Sequence, residues 1–399
     1  MSLTAENASV KNDWMIKVGV IGSGAMGSGV AQVAATAGHS VVVYDSNAAA
    51  LEKSKSLLDS TLKKLVEKQK LTEQKAAGIY SNISYAGDLK PFAGCGLIIE
   101  AVIENLEVKQ KLFAQLENIV SENCVLASNT SSLFITSIAS ACKKSNRVLG
   151  IHFFNPVPLM PLVEIIPGIS TDKKVTETSK KLIDTWGKVT VLAKDTPGFI
   201  VNRVARSYYG ESIRIAEEGI ADYATIDWAL KEFGGFKMGP FELMDFIGND
   251  INFKVTETVW EQFFYEPRFK PSFTQKRLFD AKYFGRKSGR GYYDYSPGAV
   301  MPNPQKNSEL GKKIFNRVIA MLINEAADAL YLNLATKEDL DLAMTKGVNY
   351  PKGLLKWADE IGLPVILKTL IDLQSEYGED RYRPSVLLKR MTKEQQSFF

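Results

Sequence analysis

Histidine and cysteine are scarce in this chain. Of 399 residues two are histidine, His39 and His152, and three are cysteine, Cys95, Cys124 and Cys142. Three widely spaced cysteines, an odd number in or beside apolar runs, suit reduced thiols better than disulfides or a metal site, and a catalytic cysteine is the lesser reading. No apolar stretch reaches the roughly eighteen residues of a membrane span. None opens the chain as a secretory signal would, and residues 1–14 lack arginine but carry Glu6 and Asp13, against a mitochondrial leader. The expectation is a soluble, cytoplasmic protein with a loose polar tail over 1–14. A formal net charge of +4 gives no reason to expect nucleic acid or membrane as a partner. With 45% hydrophobic and 24% charged residues, the chain can bury ordinary cores and has the length of two or three domains.

Against that scarcity, His152 stands out. The run Val148-Leu149-Gly150-Ile151 delivers it to a strand end, and Pro156 and Pro158 then force the chain out of regular structure. A second apolar run, Leu162 to Ile166, carries one acid, Glu164, twelve residues after the histidine. A carboxylate in such a segment needs a partner, and an imidazole able to become cationic supplies one. The pair is either a proton-transfer device or a satisfied buried ion pair. His39, beside Gly38, reads as a turn residue.

The first half alternates strands and helices. Ile16 to Ile21 reads as a buried strand that runs into Gly22-Ser23-Gly24-Ala25-Met26-Gly27 and then a helix ending near Gly38. Ser40 to Tyr44 is the next strand, and Asp45 closes it. In such a βαβ unit Gly22 permits the tight turn, Gly24 lets backbone approach a pyrophosphate, and Gly27 lets helix and strand pack. The helix N-terminus holds phosphates, and an acid at Asp45 suits the ribose hydroxyls of NAD and repels the extra phosphate of NADP. Further strands at Leu97–Glu100, Val125–Ala127 and Val148–Phe153 make a doubly wound, mostly parallel sheet. Asp45, Glu104, Ser128 to Ser132 and His152 then fall beyond strand carboxyl ends, where such sheets bind ligands. For Ser128-Asn129-Thr130-Ser131-Ser132 the plain alternative is a capping cluster for the following helix.

From Asn47 to about Gln69 an amphipathic helix sets Leu51, Leu58, Leu62, Leu65 and Val66 against Lys53, Lys55, Lys63, Lys64, Lys68 and Lys70. Composition alone favours a solvated basic face over a polyphosphate dock.

The Gly loop, Ser128 to Ser132, His152-Phe153-Phe154-Asn155-Pro156, Glu164 and Thr196 to Arg203 together closely resemble the L-3-hydroxyacyl-CoA dehydrogenases, which oxidise (S)-3-hydroxyacyl-CoA to 3-oxoacyl-CoA with NAD. The resemblance runs from about residue 16 to Tyr295, including Gly285 to Tyr293. It implies that His152 is the base and Glu164 its orienting partner, with Ser131 and Asn202 at the substrate oxygen. Asn155 lies in the same site by this resemblance, Asp45 at the adenosine ribose, and Glu104 and Lys109 near the cofactor. Thr61 and Lys68 match positions that meet coenzyme A, which turns the basic helix into a phosphate dock. Two rivals stand beside this reading: a dehydrogenase of other 3-hydroxy compounds, such as a sugar acid, without coenzyme A, and an NAD-sensing module without catalysis. The latter is expected to lose the base or its carboxylate, and both are present.

Past Asn202 the periodicity becomes helical. Asn202-Arg203-Val204 to Gly248 lies without gaps on Asn316-Arg317-Val318 to Gly362, an offset of 114. The expected organisation is a Rossmann-type α/β domain over 15–195, a first helical copy over 196–295, a linker over 296–307 and a second helical copy over 308–399. The second copy has no histidine and no glycine loop, so one active site is expected. Short members of the family end near Tyr295 and pair through their helical domains, whereas longer ones, including multifunctional fatty-acid oxidation proteins, carry the duplication. The second copy is therefore expected to stand in for a partner subunit, making the chain either a monomer with an internal pseudo-dimer or a homodimer.

Overall fold

A computed structural model describes residues 15–399; the tail expected over 1–14 lies outside the described residues. The chain divides into two units at Asp195 and Thr196.

The first unit is one eight-stranded sheet: β1 (Lys17–Ile21), β2 (Ser40–Tyr44), β3 (Ile83–Ala86), β4 (Leu97–Glu100), β5 (Val125–Ser128), β6 (Val148–Phe153), β7 (Leu162–Pro167) and β8 (Val189–Leu192). Their order is β3-β2-β1-β4-β5-β6-β7-β8. Only β6 and β7 run antiparallel. The centre is a continuous apolar run buried on both faces, as parallel sheets require. The four-residue edge strands β3 and β8 were not part of the expectation; they are half-buried and carry no long apolar run. The order reverses at β1, so a crevice opens beyond the carboxyl ends of β1 and β4.

Helix α1 (Ala25–Thr36) follows β1. Helix α2 (Ala48–Glu67) starts at Asn47, whose side chain accepts the N–H groups of Ala49 and Ala50 at 3.0 and 3.3 Å. His39 does sit in the turn after α1, but it is buried, and its Nε2 accepts Trp186 Nε1–H at 2.8 Å. It ties that turn to the far end of the unit. Burial pulls this imidazole below its ordinary value, against a hydrogen bond with Ile16. Cys95, Cys124 and Cys142 are buried free thiols pushed up by burial to about 11, 12 and 11.

The second unit is helical, and both repeat copies lie within it. Helices Tyr223–Gly234, Pro240–Ile247 and Asn249–Gln262 of the first copy correspond to Lys337–Gly347, Leu354–Ile361 and Leu363–Tyr377 of the second. Gly248 and its counterpart Gly362 join equivalent helices at φ +108° and +94°, a region that favours glycine. The copies pack through reciprocal ion pairs. Arg203 Nε donates to Glu325 at 2.5 Å, and Arg317 Nε donates to Glu211 at 2.6 Å. Because 203 and 317, like 211 and 325, are equivalent positions, each copy gives the other the same contact. That exchange defines an isologous, two-fold interface. No helix among the described residues is long and apolar enough to cross a membrane.

Candidate active site

Strand register brings His152 and Glu164 together. They are directly opposed on antiparallel β6 and β7, and Nδ1 lies 2.7 Å from Glu164 Oε2. Glu164 is fully buried and His152 is 5% exposed, so the pair is formed away from bulk water. Close packing beneath them requires Gly150: a Cβ there would lie 2.8 Å from Ile135 Cδ1. Asn129 Oδ1 accepts Phe153 N–H at 2.9 Å, tying the loop after β5 to the strand that carries the histidine.

Around Gly22 the backbone is shaped by what cannot fit. Gly22 has φ +98°, and a Cβ at Gly27 would collide with the Gly22 carbonyl oxygen. At Gly24 nothing lies within 4 Å of a Cβ, so this start of α1 is open, and no acid occupies the helix's first turn. Asp45 braces the loop: Oδ2 accepts Ser23 N–H at 2.7 Å and Ser23 Oγ–H at 3.0 Å, and Oδ1 accepts Asn47 N–H at 2.9 Å. Partial burial alone would raise the Asp45 carboxyl, but these hydrogen bonds outweigh it and hold the group below the usual aspartate value. A carboxylate offers about four acceptor positions, so capacity for one further donor remains.

Between these features runs a charged network. Fully buried Glu100 accepts Lys109 Nζ–H and Val102 N–H, both at 2.6 Å, on Oε1 and Ser128 Oγ–H at 2.6 Å on Oε2. Lys109, 1% exposed, also meets Glu104 Oε2 at 3.2 Å. Glu104 Oε1 accepts Thr130 Oγ1–H, Ser131 N–H at 3.1 Å and Ser132 Oγ–H at 2.9 Å. Desolvation would raise the Glu104 carboxyl, but the Lys109 ammonium and the hydroxyl donors prevail and keep it below the ordinary glutamate value. The Ser128–Ser132 loop is thus clamped at both ends. Thr130 Oγ1 also accepts Leu133 N–H at 2.9 Å, so the capping role exists beside any other.

Comparison with known proteins agrees with this arrangement. The family model for the 3-hydroxyacyl-CoA dehydrogenase NAD-binding domain matches residues 17–196, and the model for the C-terminal domain of the same enzymes matches 198–295 and again 314–397. The chain belongs to the 3-hydroxyacyl-CoA dehydrogenase family. It is 38% identical to the 3-hydroxyadipyl-CoA dehydrogenase of Escherichia coli K12, over 94% of this chain and 96% of that protein. With the mitochondrial hydroxyacyl-coenzyme A dehydrogenase of Sus scrofa it shares 42% identity over 72% of this chain and 94% of the other. The crystal structure of a 3-hydroxybutyryl-CoA dehydrogenase from Escherichia coli K12 superposes with a TM-score of 0.90 at 37% identity, covering 95% of this chain and 98% of that one.

As a member of this family the chain is an NAD-dependent dehydrogenase of 3-hydroxyacyl-CoA. Its residues fit the cofactor: the open backbone at Gly24, Ala25 and half-buried Met26 is free of acid, and the Asp45 carboxylate closes β2. Asn155 is exposed just past β6, before a cis bond to Pro156. Thr61 is half-buried on α2, and Lys68 is exposed at its C-terminal cap. Asn202 belongs to the second unit, in the short helix Val201–Val204.

Sequence reasoning missed Glu100 as a partner of Lys109, although an acid closing the apolar strand Leu97–Ile99 is the same signal that exposed Glu164. It also missed Asp195, whose carboxylate accepts the N–H groups of Ile135 and Thr136 at 2.8 Å and so fixes the helix after the Ser128–Ser132 loop. No local pattern announces a contact sixty positions away.

Proposed function

We propose that His152 is the general base for oxidation of the 3-hydroxyl, oriented by Glu164. The observation that carries this is the 2.7 Å cross-strand hydrogen bond between the two, buried beside the carboxyl edge of the sheet. Glu164 holds Nδ1, so we assign Nε2 to the substrate hydroxyl. As the proton arrives, the adjacent carboxylate offsets the new positive charge. NAD+, when bound, supplies the hydride acceptor. Ser131 and Asn202 hold the substrate oxygen so that base and acceptor address one carbinol, a positioning effect. Support for Ser131 is the clamp of its backbone on Glu104; the role of Asn202 rests on the family resemblance. In the same reading Asp45 takes the ribose, Gly22 to Gly27 the pyrophosphate, Glu104, Lys109 and Asn155 the nicotinamide side, and Thr61 and Lys68 coenzyme A. Buried reduced thiols suit a cytoplasmic setting.

His152→Gln and Glu164→Gln are each expected to lower kcat for NADH-dependent reduction of acetoacetyl-CoA about 10²- to 10⁴-fold, with NADH affinity by fluorescence kept within a few fold. Unchanged turnover in either variant removes the assignment. Reduction of free acetoacetate at a comparable rate would instead favour the rival reading without coenzyme A.

For the assembly we propose that the second copy occupies the place of a partner subunit. The reciprocal Arg203–Glu325 and Arg317–Glu211 pairs support it. Light scattering is expected to give a monomer for the full chain and a dimer for a chain cut after Tyr295; association of both through one surface defeats the idea.

A further inference from the structure

Among the described residues six arginines are buried: Arg147, Arg203, Arg206, Arg268, Arg317 and Arg381. Five have a carboxylate oxygen within 4.0 Å. Arg147 meets Glu117, Arg203 meets Glu325, Arg268 meets Glu325 and Asp328, Arg317 meets Glu211 and Glu218, and Arg381 meets Glu218 and Glu379. Arg206, at 7% exposure, has none among the described residues. A guanidinium does not shed its charge when buried, so an unmatched one is costly.

What surrounds Arg206 is polar but neutral. Nε donates to the Asn202 carbonyl at 3.0 Å, and Nη1 donates to the Asn252 carbonyl at 3.4 Å and to Thr256 Oγ1 at 3.2 Å. The group lies 4.8 Å from the centre of the Tyr209 ring. Among the described residues Nη2 has no hydrogen-bond acceptor. The helical fold does not demand an arginine here: the equivalent position in the second copy is Ala320.

We infer that Arg206 receives the distal carboxylate of a dicarboxylic 3-hydroxyacyl-CoA. This rests on the reading that Asn202 contacts the oxygen at the reacting carbon. Arg206 follows Asn202 by four positions, at the start of the next helix, Arg206–Glu217, and its Nε is bonded to the Asn202 carbonyl. A six-carbon diacid thioester places two methylenes between its reacting carbon and its distal carboxylate. The negative charge of such a carboxylate supplies what the five other buried arginines obtain from Glu or Asp.

The experiment compares NADH-dependent reduction of 3-oxoadipyl-CoA, 3-oxohexanoyl-CoA (a methyl in place of the carboxylate) and acetoacetyl-CoA by the full chain. A charge-assisted hydrogen bond of ordinary strength predicts a kcat/KM preference of about 10- to 100-fold for the diacid over the hexanoyl thioester. In Arg206→Met that ratio is expected to fall to about one or below, mainly through KM. In Arg206→Lys, part of the preference should persist. A ratio near one in the unmodified enzyme, or an unchanged ratio in Arg206→Met, overturns the inference. If the Met variant does not fold, competitive inhibition of the unmodified enzyme by adipyl-CoA against hexanoyl-CoA decides the same point, equal inhibition overturning it. Turnover of the uncharged thioesters without charge preference sinks this inference alone, whereas no turnover of any thioester sinks it together with the proposed function.

Discussion

In the first helical copy Asp227 accepts the N–H groups of Phe241 and Glu242; in the second, Asp341 accepts those of Leu355 and Lys356, 114 positions later in each case. Asp245 likewise accepts the N–H groups of Tyr292 and Tyr293, and its counterpart Asp359 accepts those of Phe398 and Phe399. Groups that hold backbone to backbone are thus kept in duplicate. Side chains assigned to the substrate are kept less strictly: Asn202 has its like at Asn316, but Arg206 gives way to Ala320, and the one histidine assigned to the reaction, His152, lies outside both copies. Architecture is selected in both copies, because each must satisfy its own buried backbone donors and the other's charges. Reaction chemistry is needed once.

The interface itself is not fully symmetric, and that offers the strongest way to break the comparison. Glu325, fully buried, serves both Arg203 and Arg268, whereas Glu211 shares Arg317 with Glu218. Glu325→Ala leaves Arg203 without its carboxylate and Arg268 with Asp328 alone, and is expected to cost about 3–5 kcal/mol of unfolding free energy. Glu211→Ala should cost visibly less. Chemical denaturation that ranks them the other way would show that the two halves of the interface are not what the geometry says.

A sharper test separates reaction from architecture. Asn202→Ala is expected to lower kcat/KM for acetoacetyl-CoA about a hundredfold, as loss of an oxygen-holding donor does. Asn316→Ala, at the exposed equivalent position, should stay within twofold. Equal losses would remove the distinction between the two asparagines.

The smallest effect concerns Glu218, whose equivalent is Leu332. Burial alone would raise its carboxyl, but donors on Arg317 and Tyr377 overcome that and hold it below the usual glutamate value near 4.5. A depressed acid stabilises the fold fully above its unfolded value and loses that contribution as pH falls through the folded one. Since a quarter of the side chain is exposed, Glu218→Gln should cost only about 1 kcal/mol at pH 7. Denaturation curves of parent and variant should converge on acidification below pH 4.5; a gap that persists there would assign the loss to packing.

Much of the sheet and the His152–Glu164 pair was legible because apolar runs, turn glycines and an acid inside a greasy segment are local signals. The edge strands β3 and β8 were not, since four half-buried residues carry no such run. Lys109 was legible only through resemblance: on its own it reads as one more helical lysine, and only the fold shows it sealed between Glu100 and Glu104. Arg206 carried no signal at all, because an arginine beside tyrosines looks like any other until its neighbours are counted.

The sequence by itself determined the alternation that makes a doubly wound sheet, the glycine turn, the acid at Asp45 and the offset of 114 between the helical copies. These are properties of residues near one another in the chain. Tertiary structure alone decided which charges meet: that Arg203 and Arg317 exchange glutamates across the copies, and that Arg206 meets no carboxylate among the described residues. Such pairings depend on approaches between residues more than a hundred positions apart, where burial removes water and leaves each charge to the neighbours the fold provides.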